Sequence, residues 1–251
     1  MAPMPTARKY VSTAVLDGKL YAVGGESEAD EASNSVERYD LATNAWEEVA
    51  PMAEARTNHA MAALDGKLYA IGGYDDDENE ALSSVERYDP ATNAWEAVAP
   101  MPSGRINHAV AVLDGKLYAV GGCGNDGDCL SSVERYDPTA NMWEAVAPMA
   151  AERINHGVAV LDGKLYAVGG YDDDDFLSSV ERYDPATNAW EAVAPMGTAR
   201  MAHAVAVLDG KLYAVGGYGL SSVERYDPAT NAWEAVAPMA AARVKAFAVL
   251  M

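Results

Sequence analysis

One phrase, written five times, constrains this chain more than any other feature. LDGKLYAVGG…SSVERYDPATNAWEAVAPM recurs with few changes along the 251 residues, and the glycine pairs that mark the copies are 48, 49, 48 and 47 residues apart. A fixed period in this range indicates a solenoid, a propeller or another repeat array. Because the copies are nearly identical, any specificity must lie where they differ. The pairs are Gly24-Gly25, Gly72-Gly73, Gly121-Gly122, Gly169-Gly170 and Gly216-Gly217.

A single repeat, residues 105–149, predicts four strands. His108–Leu113 is an apolar run, Asp114-Gly115 is a hairpin turn signal, and Lys116–Val120 returns. Ser132–Asp137 alternates as a third strand, and Trp143–Ala147 gives a fourth. No window shows a helical period. Four antiparallel strands repeated radially predict an all-β fold, a β-propeller of four-stranded blades.

The same residues resemble the kelch repeat. Its signature is the glycine pair, the tyrosine of ERYD and a tryptophan seven residues later, and it recurs in register over essentially the whole chain. The resemblance implies that the first strand of each blade lines a central channel and that the aromatic pair packs between blades. The tyrosines are Tyr39, Tyr88, Tyr136, Tyr183 and Tyr226, and the tryptophans are Trp46, Trp95, Trp143, Trp190 and Trp233.

We expect one propeller over residues 1–251, with an additional inner-strand-like segment at 243–251. The repeats span approximately 8–52, 56–101, 105–149, 153–196 and 200–239. Residues 2–8 match 99–105, the tail of a repeat, and 246–250 match the inner strand 204–208. Two interpretations stay open. Either five blades close with residues 10–16 retained as an inner strand, which gives a monomer, or the array is an incomplete six-bladed ring.

The connection between the second and third strands varies most and is acidic. Its versions carry charges of −4, −5, −2, −4 and 0, which together make −15 of the net −20. By the kelch resemblance these loops surround the channel mouth, so they predict an acidic rim that repels nucleic acid and attracts a basic or neutral protein or peptide. The candidate binding residues of this rim are Asp75, Asp76, Asp77, Glu78, Asp172, Asp173, Asp174 and Asp175.

Two other interpretations of the acidic loops remain open. The charge can serve solubility alone. Asp75, Asp77 and Asn79 also have the alternating spacing of a calcium loop, although the glycine and closing glutamate of an EF-hand are absent.

A second variable position lies two residues after the first arginine of each repeat. In peptide-binding kelch proteins it contacts ligand at the channel mouth, so the resemblance makes Tyr10, Asn58, Asn107, Asn155 and Ala202 candidates for partner contact. The arginines themselves are expected to be structural and to pair with the glutamates of ERYD, because buried arginines are normally paired. They are Arg56, Arg105, Arg153 and Arg200, and the glutamates are Glu37, Glu86, Glu134, Glu181 and Glu224.

The histidines and cysteines predict no metal site. The four histidines occupy one equivalent position, His59, His108, His156 and His203, which would hold them too far apart around a channel for tetrahedral zinc. We expect them to be structural. Cys123 and Cys129 flank one loop and are compatible with a local disulfide or with two free thiols.

These patterns favour a non-catalytic interaction module or scaffold with no cofactor. Near-symmetric rings of identical residues offer no catalytic constellation. The alternatives are a sugar mutarotase of the kelch type, or a consensus-like or designed repeat scaffold without a specific ligand. The apolar stretch of a signal peptide and runs of membrane-spanning length are absent from the sequence, so a soluble cytoplasmic protein that does not bind membranes is expected.

Overall fold

The computed structural model describes residues 2–27, 31–76 and 80–244. They form five blades, each a sheet of four antiparallel strands, and this part of the chain contains no helix. The predicted all-β propeller with five blades is therefore confirmed. The candidate sixth inner strand at 246–250 lies outside the described residues.

The strands follow the repeat with the same order in every blade. Blade 1 contains β1 (Ser12–Leu16), β2 (Lys19–Val23), β3 (Val36–Asp40) and β4 (Ala45–Val49). Blade 2 contains β5 (Ala60–Leu64), β6 (Lys67–Ile71), β9 (Val85–Asp89) and β10 (Ala94–Val98), and its loop adds the short pair β7 (Tyr74–Asp75) and β8 (Glu80–Ala81). Blade 3 contains β11 (Ala109–Leu113), β12 (Lys116–Val120), β13 (Val133–Asp137) and β14 (Met142–Val146). Blade 4 contains β15 (Gly157–Leu161), β16 (Lys164–Val168), β17 (Val180–Asp184) and β18 (Ala189–Val193). Blade 5 contains β19 (Ala204–Leu208), β20 (Lys211–Val215), β21 (Val223–Asp227) and β22 (Ala232–Val236).

Two-residue turns set the register of the inner hairpins. Leu113 pairs with Lys116, which leaves Asp114 and Gly115 as the turn, with φ of 51° and 70°. Both angles are positive, as a type I′ turn requires, and the Asp-Gly sequence supplies residues that tolerate them. The four strands of this repeat lie within one residue of those predicted from the sequence, and β11 begins at Ala109 rather than at His108.

Apolar side chains fill each described interface between consecutive blades. Between blades 3 and 4, Leu113, Tyr118 and Val120 pack against Leu165 and Tyr183. The same set recurs at the other three interfaces from blade 1 to blade 5. The repeat tyrosines are therefore part of the core between blades, as the kelch resemblance implies.

The repeat tryptophan and asparagine clamp the outer strand of the preceding blade. Trp95 Nε1 donates to the Ala50 carbonyl at 2.9 Å, and the Ala50 N–H donates to Asn93 Oδ1 at 3.0 Å. Asn93 Oδ1 also accepts the Tyr88 hydroxyl at 2.9 Å. In blade 1 the clamped residue is Ala2, which bonds Trp46 and Asn44 in the same way. The N-terminal segment thus occupies the place of the tail of a preceding repeat.

A fully buried arginine precedes the first strand of each of blades 2–5 and forms hydrogen bonds with its own blade and with the preceding one. In blade 4, the guanidinium of Arg153 donates to the carbonyls of Gly169 and Ser179 and lies 2.9 Å from Glu181 Oε1. Its main chain bonds blade 3, because its carbonyl accepts the N–H of Gly122 at 2.8 Å. The pairing of arginine with the ERYD glutamate expected from the sequence is present in all five blades, with Arg8 in blade 1.

The face of blade 5 that is directed away from blade 4 is only partly covered by the described residues. Leu208 is 46% exposed, whereas its equivalents in blades 1–4 are between 3% and 7% exposed. The inner strands contact one another in the order β1, β5, β11, β15 and β19, and in the described ranges β19 does not pack on β1 as consecutive inner strands do. Arg243 keeps the main-chain bond of the repeat arginines, to Gly217 N–H, but its side chain is exposed.

Two neighbouring ion pairs should contribute very different amounts to the free energy of unfolding, because one is buried and the other is exposed. Arg153→Ala leaves Glu181 buried without its partner, so we expect a loss of about 3–5 kcal/mol in the free energy of unfolding. Arg182→Ala removes an exposed pair with Glu191 and should cost less than about 1 kcal/mol. Chemical denaturation followed by tryptophan fluorescence measures both. Equal losses in the two variants would contradict a joining role for Arg153.

Candidate functional site

The channel mouth and the acidic loops form one continuous surface. Thr57, which precedes mouth residue Asn58, exchanges two main-chain hydrogen bonds with Tyr74, the first residue of the acidic loop, at 3.0 and 2.8 Å. Ile154 and Tyr171 pair in the same way at 3.0 Å. The acidic loops of blades 2 and 4 therefore begin directly beside the mouth residues.

A run of main-chain hydrogen bonds links the mouth residues from blade to blade. Asn107 donates its N–H to the carbonyl of Asn58 at 3.1 Å, Asn155 to Asn107 at 3.0 Å, and Ala202 to Asn155 at 2.8 Å. The Asn58 N–H makes the longest of these bonds, 3.4 Å, to Tyr10. All five residues are left-handed, with φ between 49° and 52°. Asparagine adopts this conformation more readily than other non-glycine residues, which gives a structural reason for its presence here.

The mouth residues line a cavity of about 290 Å³ on the channel axis. Tyr10 is 47% exposed, and the three asparagines are half-buried. Ala202 is only 6% exposed, so the fifth candidate contact contributes little accessible surface. The cavity is close to the lower end of the usual size range of small-ligand sites, about 300–1,000 Å³. It therefore fits one side chain or a small polar group.

The four histidines lie below the mouth, wedged between blades. A Cβ added to Gly72 would lie 2.7 Å from the Arg105 carbonyl and 3.0 Å from His108 Cε1, so the histidine packs on the bare glycine of the preceding blade. Each ring is more than nine-tenths buried, and neither nitrogen has a hydrogen-bond partner among the described residues. Burial and the neighbouring arginine lower the pKa of His108 to about 3 and that of His203 to about 4. The rings are consequently neutral at physiological pH.

Some loop carboxylates accept hydrogen bonds from the preceding loop and so connect neighbouring loops of the rim. Asp76 Oδ2 accepts the N–H of Ala32 in the preceding loop at 2.8 Å. Asp173 Oδ2 accepts the N–H of Cys129 at 3.2 Å, and its Oδ1 accepts the thiol of Cys129 at 3.0 Å. Asn125 occupies the same position and accepts from Ala81. Two predicted partner-binding residues thus connect successive loops, a role that the sequence did not indicate.

The remaining acidic residues of blade 4 face solvent. Asp172 Oδ1 accepts the main-chain N–H groups of Asp174 and Asp175 at 3.3 and 3.0 Å, which makes a tight turn. Asp174 and Asp175 are exposed. In blade 2, Asp75 is half-buried, and Asp77, Glu78 and Asn79 lie outside the described residues.

Neither the loops nor the channel brings metal ligands together in the part of the chain that the structure describes. No group of three histidine, cysteine or acidic side chains there is placed to hold a metal ion. Cys123 and Cys129 are free, buried thiols on paired backbone positions. Burial and Asp173 raise the pKa of Cys129 to about 12, so this thiol stays protonated at neutral pH.

Two exposed aromatic side chains of the rim were missed by the sequence reasoning. Phe176 and Tyr218 are 41% and 61% exposed and contact each other across blades 4 and 5. The available signal was their position in the two most divergent loops, where Phe176 replaces the small residues of the other copies.

Comparison with known proteins places this propeller in a class. A family model described as the KLHDC2/KLHL20/DRC7 Kelch-repeats domain matches residues 2–152 and 58–246. The chain belongs to the kelch-repeat family. No curated protein matches it significantly. A solved structure titled "Structure of YjhT" shares the fold with a TM-score of 0.84 at 16% identity, over 97% of this chain and 87% of that one. Within the described residues, no helix is long and apolar enough to cross a membrane.

The left-handed mouth predicts opposite effects of two small substitutions. Ala202→Gly removes the Cβ from a residue at φ 50° and should stabilise the protein by roughly 0.5–1 kcal/mol. Asn155→Ala should destabilise it by a similar amount. Ala204→Gly, two residues away in β19, is the control and should be destabilising, because glycine weakens a strand. Denaturant midpoints report all three, and stabilisation by both glycine variants would contradict the argument.

The neutral histidines predict acid sensitivity. Their pKa values are lowered in the folded state, so the unfolded chain binds more protons below the ordinary value of about 6.5. Stability is complete above this pH and is lost as pH falls towards 4, with each histidine adding about 1.4 kcal/mol per pH unit to the slope. His108→Gln should remove one such contribution between about pH 4.5 and 6. The free energy of unfolding is measured at several pH values in this range for the variant and the wild type. If it changed with pH equally in both, His108 would not take up a proton on unfolding.

Proposed function

We propose that this propeller is a non-catalytic protein-interaction module that binds a basic or neutral peptide segment of a partner across its acidic rim and channel mouth. Kelch propellers typically serve as interaction modules. The observation that carries the proposal is the direct main-chain pairing of the mouth with the acidic loops, seen at Thr57 and Tyr74. A ligand at the mouth therefore meets the acidic side chains at the same time.

Charge supports a basic partner. The loops of blades 1–4 hold most of the net negative charge, whereas the loop of blade 5 is neutral. Asp126, Asp174 and Asp175 are exposed, and no described lysine or arginine pairs with them. A concentrated field of one sign attracts ligands of the other sign and speeds their encounter, and salt weakens the effect.

The mouth supports recognition of an extended segment. Its main-chain groups bond to one another from blade to blade, so a ligand meets mainly the side chains that line the cavity, among them Asn58, Asn107 and Asn155. Asparagine amides both donate and accept, which suits the backbone of a peptide. The small cavity beneath them accepts one side chain of that segment.

The cavity favours binding over catalysis. Tyr10 and the four histidines are the titratable residues of its described lining, and no carboxylate belongs to it. The histidine nitrogens are buried and the pKa values of these rings are lowered far from neutrality, which suits neither a general acid nor a general base at pH 7. The likeness to YjhT concerns the fold alone.

Binding through the rim is tested with a fluorescein-labelled lysine–glycine repeat peptide followed by anisotropy. The triple variant Asp75→Asn, Asp126→Asn and Asp174→Asn removes one charge from each of three loops. We expect it to weaken binding on the order of tenfold at low ionic strength, and less at about 300 mM salt, because screening reduces the attraction. A glutamate–glycine peptide of equal length should not bind.

The matched control removes three charges at the opposite end of the blades. Asp65→Asn, Asp114→Asn and Asp162→Asn convert the Asp-Gly turns into Asn-Gly, which suits the same type I′ turn. This variant should bind the peptide almost as the wild type does. Equal weakening by both triple variants would mean that only net charge matters and that the rim is not the site.

A further inference from the structure

Three aromatic rings form a ladder on the rim where blades 4 and 5 meet. The ring centroids of Tyr171 and Phe176 are 6.2 Å apart, and those of Phe176 and Tyr218 are 6.1 Å apart, each pair inclined at 74°. Edge-to-face contact of this kind is a favourable geometry for aromatic pairs. Phe176 and Tyr218 nevertheless keep 41% and 61% of their surface exposed. We call these three residues the aromatic ladder.

Among the described loops the ladder is found only between blades 4 and 5, where two neighbouring loops differ in length. In blades 1–3 the residue equivalent to Phe176 is small, and the next loop caps its N–H with Asp76, Asn125 or Asp173. The loop of blade 5 has only three residues, 218–220, and supplies no such cap. Phe176 extends over Tyr218 instead. The small equivalents are Ala32, Ala81 and Cys129.

Four aspartates, Asp172–Asp175, lie in the loop between Tyr171 and Phe176 of the ladder. Hydrogen bonds from the main chain of Asp174 and Asp175 to Asp172 hold this loop in a tight turn. Asp173 is occupied by Cys129, which leaves Asp174 and Asp175 exposed without a cationic partner in the described ranges. The loop is anchored at Tyr171, whose hydroxyl donates to the Asp173 carbonyl at 2.7 Å.

Exposed aromatic faces beside unpaired carboxylates complement one kind of group. The face of an aromatic ring attracts cations through its quadrupole, and arginine is the side chain that stacks on rings most often. Its planar guanidinium also donates to a carboxylate in a bidentate manner. A purely apolar partner would bring the aspartates into an unfavourable apolar environment, and an acidic partner would be repelled.

We propose that the aromatic ladder binds an arginine side chain of the partner peptide, with the guanidinium on Phe176 or Tyr218 and its N–H groups directed to Asp174 or Asp175. This inference rests on the proposed function and makes it specific, because it assigns the anchoring point to one side of an otherwise repetitive rim. Lysine binds the same place more weakly, because its ammonium is more strongly hydrated and cannot stack.

The test compares three fluorescein-labelled peptides that differ at one position, which is arginine, lysine or citrulline. Citrulline has the shape of arginine without its charge. We expect the arginine peptide to bind at least about fivefold more tightly than the citrulline peptide. The double variant Phe176→Leu and Tyr218→Leu keeps apolar surface but removes the rings, so it should remove the advantage of arginine over lysine, while the acidic loops still favour both charged peptides over the citrulline peptide. Both positions are exposed, so the fold is retained, as circular dichroism verifies.

The matched control and a direct readout separate the possible outcomes. Leu41→Ala and Met142→Ala remove exposed apolar side chains at the end of the blades opposite the rim, and they should leave the arginine preference intact. In proton NMR, the arginine Hδ resonances of the bound peptide should shift upfield with the wild type, as expected for protons above a ring, and not with the double variant.

Several results would overturn the inference. If the double leucine variant binds all three peptides as the wild type does, while neutralisation of the rim still weakens binding, the ladder is not the anchor and the proposed function stands. If it weakens the arginine and citrulline peptides equally, the ladder binds apolar groups rather than a guanidinium. If neither set of variants changes binding, both proposals fall.

Discussion

A buried arginine between consecutive blades is the contact on which the rest of the propeller depends. The main chain of Arg153 bonds Gly122 and Leu130, the two ends of the blade 3 loop, while its guanidinium bonds Gly169, Ser179 and Glu181 in blade 4. One residue thus fixes the base of one loop and the frame of the next. Burying a guanidinium is costly unless every nearby acceptor is in place, so the contact is as much a specification of geometry as a source of stability.

The mouth shows how structural and functional requirements coincide. The five mouth residues that make the blade-to-blade hydrogen bonds are all left-handed, and asparagine, which holds three of these positions, adopts that conformation readily and carries a polar side chain. The same residue therefore supports the ring and presents an amide to the channel. Beneath it, His108 fills the space that Gly72 leaves free, so a neutral side chain packs between blades 2 and 3.

Much of the fold could be predicted because each signal recurs in register. The Asp-Gly turns, the alternating ERYD strand and the glycine pairs predicted the four strands of each repeat to within about a residue, and the arginine–glutamate pairs followed from the need to pair a buried charge. The choice between five blades and an incomplete six-bladed ring stayed open, because it depends on how the chain ends pack. The contacts of the candidate site were harder to predict from the sequence. That Asp76 and Asp173 bond the preceding loop depends on the distance between neighbouring blades, which no single repeat encodes. The contact of Phe176 with Tyr218 likewise arises from the difference between two loop lengths, so each loop read by itself looked unremarkable.

The rim contains two kinds of loop residue. Some, such as Asp173, accept a hydrogen bond from the preceding loop, and others contact solvent and can be replaced without loss of such a bond. Asp173 connects blade 4 to Cys129, whereas Asp174 and Asp175 contact solvent. Substitutions at the two outer positions alter the chemistry offered to a partner without disturbing the neighbouring loop. Under the proposed function the propeller resembles an antibody domain in this respect, because a constant framework carries loops whose outer residues can be exchanged one loop at a time.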